Sequence, residues 1–231
     1  MIHEHWIQSI FVFIMILFLG GCNLASRKPS VQSPVESEFN YTEGKGDAFL
    51  YDVKIYREGK KNSVRLDVYR KNDSLALFAR GYLGKGVLKG LAVSDSIVIY
   101  FPTENEYFSG KLNELIYKSC AEQDNLEQML IDLFVMRPVE LEYSMADFYV
   151  TVLNDKGKKQ QFRLESKNCA ESARLEYDFK DNRFLLEKIQ FSNRDETFRL
   201  TAQRRKHRLD INIPAEKFII PIPPEAVRID L

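Results

Sequence analysis

The chain has 231 residues, with 33 basic and 33 acidic side chains and a formal net charge of zero. Hydrophobic residues make up 45% and aromatics 12%, which is enough apolar side chain for a packed core and too much for a disordered chain. The charge balance argues against a nucleic-acid binder, which carries a basic excess, and the length suits one sizeable domain.

Ile10–Leu19 is an unbroken apolar run of the size of a secretory signal core; a membrane-spanning helix needs about 20 such residues. Leu19-Gly20-Gly21-Cys22 follows and resembles the lipobox of bacterial lipoproteins. That resemblance implies cleavage before Cys22, a diacylglycerol on its thiol, and further acylation, such as palmitate, on the new amine. Two or three acyl chains make a lasting membrane anchor. Asn23 lacks the retention signal that Asp gives at this position, so the resemblance implies the outer membrane of a diderm bacterium, with the domain in the periplasm. One feature departs from the pattern. Met1–Trp6 has no Lys or Arg, and the first basic residues, Arg27 and Lys28, come after the apolar run. An uncleaved anchor is the alternative.

Residues 23–40 are rich in Ser, Pro and Val and read as a tether of roughly 20–25 Å mean span. The expected organisation is therefore a signal peptide over 1–21, a lipidated cysteine and tether over 22–40, and one domain over 41–231. Cys120 and Cys169 are the remaining cysteines. Outside the cytoplasm two thiols tend to pair, which predicts a Cys120–Cys169 disulfide; two separate thiols are the alternative.

From about Tyr41, short runs of Val, Ile, Tyr, Phe and Leu alternate with polar turns. Strands are predicted at Val64–Arg70, Ser74–Arg80, Val87–Val93, Ile97–Phe101 and Glu106–Ser109. The apolar spacing of Leu126, Met129, Leu130, Leu133 and Phe134 predicts a helix, capped by Asp124-Asn125 and ended by Pro138. Lys111–Ser119 reads as a second, shorter helix. Strands resume at Asp147–Asn154, Gln160–Glu165, Arg174–Lys180, Arg183–Phe191 and Thr197–Gln203. The Pro-broken end, Phe218–Ala226, reads as an edge segment or an extended arm, because Pro cannot donate to a ladder. The sum is α+β but mainly β: one curled antiparallel sheet that forms an unclosed barrel over one or more helices.

This order, with Ser94-Asp95-Ser96 leading to Tyr100-Phe101-Pro102 and an ending Phe218-Ile219-Ile220-Pro221-Ile222-Pro223 followed by Val227 and Ile229, resembles the LolA/LolB lipoprotein-localisation superfamily. The resemblance implies an unclosed barrel with a hydrophobic cavity for acyl chains or lipoproteins. The Leu126–Phe134 stripe would be core or cavity lining. Gly81–Leu91 reads as a plain inter-strand loop, or as one whose Tyr82, Leu83 and Leu88 touch lipid or cargo while Lys85 and Lys89 meet headgroups. Arg204, Arg205, Lys206 and Arg208 form the densest charge run, either a solvated strand or a patch for anionic groups.

Catalytic chemistry is poorly supplied. Past the signal there is one histidine, His207, and no phosphate loop, His-x-x-x-His or Cys-x-x-Cys. No enzyme, cofactor or metal is expected. Two functions fit: a lipid-anchored carrier or acceptor of acyl chains or lipoproteins, and an adaptor lipoprotein that binds an envelope protein.

Overall fold

The computed structural model describes residues 44–57, 59–112, 133–135, 148–166, 172–193 and 196–230. Their strands are β1 (Lys45–Arg57), β2 (Lys60–Lys71), β3 (Ser74–Arg80), β4 (Gly86–Val93), β5 (Ser96–Phe101), β6 (Glu106–Lys111), β7 (Phe148–Asp155), β8 (Lys159–Ser166), β9 (Ser172–Lys180), β10 (Arg183–Ser192), β11 (Phe198–Asn212) and β12 (Val227–Arg228). The ten strands predicted from alternation fall on β2 to β11 in order. β1 is the addition. Its Phe49, Tyr51, Val53 and Ile55 lie at period two, the mark of a strand with one buried face.

The strands make one sheet in the order β12-β6-β5-β4-β3-β2-β1-β11-β10-β9-β8-β7. It is two meanders, β1–β6 and β7–β11, joined through the antiparallel pairing of β1 with β11. The end strands do not pair with each other, so the curled sheet stays unclosed. Short polar residues take the left-handed turn positions, among them Asn72, Ser94, Asp181 and Asn182. Positive φ at both Asp181 and Asn182 matches the twist of a two-residue hairpin.

The inner face carries a continuous apolar cluster that runs from Phe108 on β6 to Phe162 on β8. A smaller cluster lies on the outer face of β3 and β4, where Ala76 and Leu91 meet Ile213 and Phe218 from the chain end. That end is an extended strap. It leaves β11, packs Phe218 over β3 and β4, and adds β12 in parallel to β6, where the Ile229 amide donates to the Tyr107 carbonyl. Gly46 allows the strap to pass: a Cβ there would lie 2.5 Å from the Arg70 carbonyl oxygen and 2.6 Å from Ile213 Cδ1.

The helical expectation can be compared only at its ends. Lys111 ends β6 and Leu112 is helical, as the shorter helix requires, while residues 113–119 lie outside the described ones. Leu133 and Phe134 form a turn, and Val135 makes a β-bridge with Leu185. Among the described residues the complete helical elements are two 3-10 turns, Tyr82–Gly84 and Ala215–Phe218, and Leu112 is a helical residue. Leu126, Met129 and Leu130 lie outside the described residues.

The reason for the turn is a parting in the sheet. β10 pairs with β9 along its length, but with β11 only from Lys188 to Ser192. A bulge between Leu186 and Lys188 marks the divergence. The Leu186 amide, freed from β11, donates to the Phe134 carbonyl at 3.1 Å. The Leu186 carbonyl accepts the Tyr51 hydroxyl at 2.9 Å, and the Leu133 carbonyl accepts the Tyr177 hydroxyl at 2.9 Å. Burial pushes both phenols far above their ordinary range; near Tyr51, Arg204 opposes that rise and Glu187 adds to it. Both therefore stay neutral donors.

Replacing Tyr51 or Tyr177 with Phe is expected to cost about 1–2 kcal/mol each, read from urea melts at neutral pH, because a buried carbonyl loses its donor. The wild type should also lose stability as pH rises above about 10, the ordinary phenol value. There the unfolded chain releases phenolic protons that the folded chain keeps, so the unfolded state binds fewer protons. Each variant should show a shallower alkaline decline.

Candidate functional site

Three surfaces carry the candidate residues: the inner face, the β3–β4 turn and the outer face around β11. On the inner face, Phe134 stacks on Phe49 with ring centroids 5.9 Å apart and sits edge-on to Tyr51 at 5.8 Å. Leu133 is buried beside it. These two cavity candidates belong to the apolar cluster, and their backbone is tied into the parted seam. They form a fixed floor over the middle of the face.

Ion pairs bridge the same seam. Arg204, on the inner side of β11 opposite Tyr51, is 2% exposed at its side chain and pairs with Glu187 at 2.6 Å. Its Nη1 is buried without a hydrogen-bond partner among the described residues. Arg183 reaches Asp210 at 3.0 Å and Asp47 at 3.6 Å, and His207 lies 3.0 Å from Asp181. The basic run, read as a solvated strand or as a patch, divides between the two faces. Alternation along a strand sends neighbours to opposite faces, so Arg204 is consumed inside. Arg205 pairs with Asp52 at 3.3 Å, and Lys206 and Arg208 are exposed. Four adjacent cations in sequence do not make one cationic surface.

The β3–β4 turn is the sharpest exposed feature. Leu83 is 88% exposed and holds φ 58°, ψ 20°, a left-handed conformation that a leucine adopts only at a cost. Lys85 is exposed beside it, and Lys89 is half-buried on β4. Leu88 contradicts the loop expectation. It is 1% exposed and packs in the core, because β4 begins at Gly86 and turns it to the inner face. Below Leu83 is a hollow of about 470 Å³ edged by Lys54, Arg65 and Arg80. The Tyr82 side chain, Cys22, Cys120 and Cys169 lie outside what the structure describes.

No cluster of three or more metal-binding side chains occurs among the described residues. No family model matches the sequence, and no curated protein matches it. Solved structures with a similar course of the chain include members of the LolA superfamily. A LolA superfamily protein from Nitrosomonas europaea is 9% identical with a TM-score of 0.36, over 77% of this chain and 91% of the other. An outer membrane lipoprotein-sorting protein domain from Vibrio parahaemolyticus is 8% identical with a TM-score of 0.40, over 75% and 89%. A DUF1329 family protein from Desulfovibrio piger is 10% identical with a TM-score of 0.45, over 76% and 90%. The likeness concerns the fold, and what the site binds is argued from its own residues.

Sequence reasoning missed a group on the outer face. Arg163, Arg174 and Arg199, on three different strands, border one groove of about 490 Å³. The signal lay in the register, which places Arg163 directly across from Arg174.

Leu83 and Leu88 should separate cleanly in thermal melts. Leu83→Gly is expected to raise stability by about 1 kcal/mol, since glycine carries no left-handed penalty. Leu88→Glu buries a charge in the core and is expected to prevent cooperative folding.

Proposed function

We propose that the chain is a lipoprotein, lipidated on Cys22 and anchored in the outer membrane, whose non-enzymatic domain binds acyl chains or lipoproteins against its inner face. The observation that carries this reading is the continuous apolar face of an unclosed sheet, extending from Phe108 to Phe162. An unclosed sheet can admit an elongated apolar ligand from its rim, whereas a closed barrel must open first. Acyl chains gain roughly 0.8 kcal/mol for each methylene buried. Leu83 supports the reading from outside the core: it offers an apolar contact to a membrane or to cargo at the tip of a turn. The proposed Cys120–Cys169 disulfide would tie down the segment between β6 and β7.

One observation favours a second reading. Phe134 fills the space between Phe49 and Tyr51, and its carbonyl is bonded into the seam. A filled face suits an adaptor lipoprotein that binds an envelope protein through its surface.

Mass spectrometry of lipids extracted from the purified chain lacking Met1–Cys22, against an identically handled control protein, decides between the two. Stoichiometric lipid or acyl peptide is expected. Absence of lipid together with no uptake of an apolar dye would overturn the carrier reading in favour of the adaptor. Separately, Cys22→Ala is expected to move the protein from the membrane fraction to the soluble fraction of expressing cells. Retention in the membrane would reject the lipid anchor.

A further inference from the structure

The outer face of β8 to β11 presents an arrangement that the sheet itself does not explain. Register places Arg163 on β8 directly across from Arg174 on β9. Like charges at directly opposed positions destabilise a sheet. The next positions in this row are Gln190 on β10 and Thr201 on β11. The neighbouring row runs Glu165, Ser172, Ser192 and Arg199. All of these except Glu165 border the groove, and among the described residues no acidic one does.

The arginines are unevenly neutralised. Arg163 pairs with Glu165 at 2.8 Å, from outside the groove. Arg199 reaches Glu196 only at 4.0 Å and lies over the Tyr56 ring. Arg174 is exposed and has no carboxylate partner among the described residues. Ser172, Ser192 and Thr201 line the same groove, so it offers both charge and neutral donors.

We propose that this groove binds phosphate groups. A tetrahedral oxyanion accepts paired donors from arginine forks and single bonds from hydroxyls, and its charge removes the Arg163–Arg174 repulsion. The chemistry is shared by an anionic lipid headgroup and a soluble phosphate. The groove lies on the face opposite the apolar cluster, so the inference stands apart from acyl-chain binding.

The test is a set of thermal melts of the full-length chain in neutral detergent, at matched ionic strength. The additions are sodium chloride, inorganic phosphate, short-chain phosphatidic acid and short-chain phosphatidylcholine. Phosphate or phosphatidic acid should raise Tm above the chloride and phosphatidylcholine controls. An equal response to both identifies the free group as sufficient, and a response to phosphatidic acid alone identifies a lipid headgroup. Arg174→Gln, and the double variant Arg163→Gln/Arg174→Gln, should melt no lower than wild type without ligand. They should bind about tenfold more weakly for each arginine removed. A Tm that responds to neither phosphate compound beyond the controls would overturn the proposal, as would a shift that persists undiminished in the double variant. A shift with phosphatidylcholine equal to that with phosphatidic acid would also overturn it, because it would report acyl-chain binding on the inner face.

Discussion

The architecture depends on the divergence of β10 from β11. A twelve-stranded sheet that curls without closing must release its curvature somewhere, and it does so at the bulge before Lys188. Divergence frees backbone groups inside a core, where each must find a partner. The Leu186 amide goes to Phe134, its carbonyl to Tyr51, and the Glu187 carbonyl to the Gln203 side-chain amide. The Leu133–Val135 segment is thus in place of a strand, and Tyr177 holds its other carbonyl. Two tyrosines serve here because a phenol spans a core with an apolar ring and still ends in a donor.

The charged side chains around the seam follow the same logic. Asp47 is buried, accepts the Asp210 amide at 3.1 Å, and pairs with Arg70 at 3.1 Å. Arg183 crosses from β10 to meet it, so β1, β2, β10 and β11 are fastened at one carboxylate. Of the basic run after Gln203, Arg204 is structural, while Lys206 and Arg208 stay exposed. The cations left for ligands come from alternate positions on separate strands and are drawn together only by pairing.

Much of the fold could be read from the sequence. Alternation located ten strands because each has one buried face, and Asn72, Ser94, Asp181 and Asn182 marked turns through their tolerance of left-handed backbone. The Pro-rich ending was rightly an arm, although sequence could not say that it would cover Ala76 and Leu91. Leu133 and Phe134 fitted a helical period; they stand in a turn whose carbonyls go to the seam, and the rest of that span lies outside the described residues. Leu88 was read twice, as the second residue of the Val87–Val93 strand and as part of the Gly81–Leu91 loop, and the structure keeps the strand. The arginine groove could not be found in a linear reading, since its residues meet only through the registers of β8 with β9 and of β10 with β11.

The joining of the two meanders sets an order of assembly. Lys45 at the start of β1 is paired with Asn212 at the end of β11, and β12 beyond it finishes the edge at β6. A chain made from its amino end can zip β1 to β6 through neighbouring hairpins, yet the free edge of β1 and the apolar side of that half-sheet stay uncovered until Phe198–Asn212 arrives. Such late closure between distant segments slows folding and leaves an exposed template for mispairing. The nascent protein would remain incompletely folded, and in need of protection from self-association, for nearly the whole time of its synthesis.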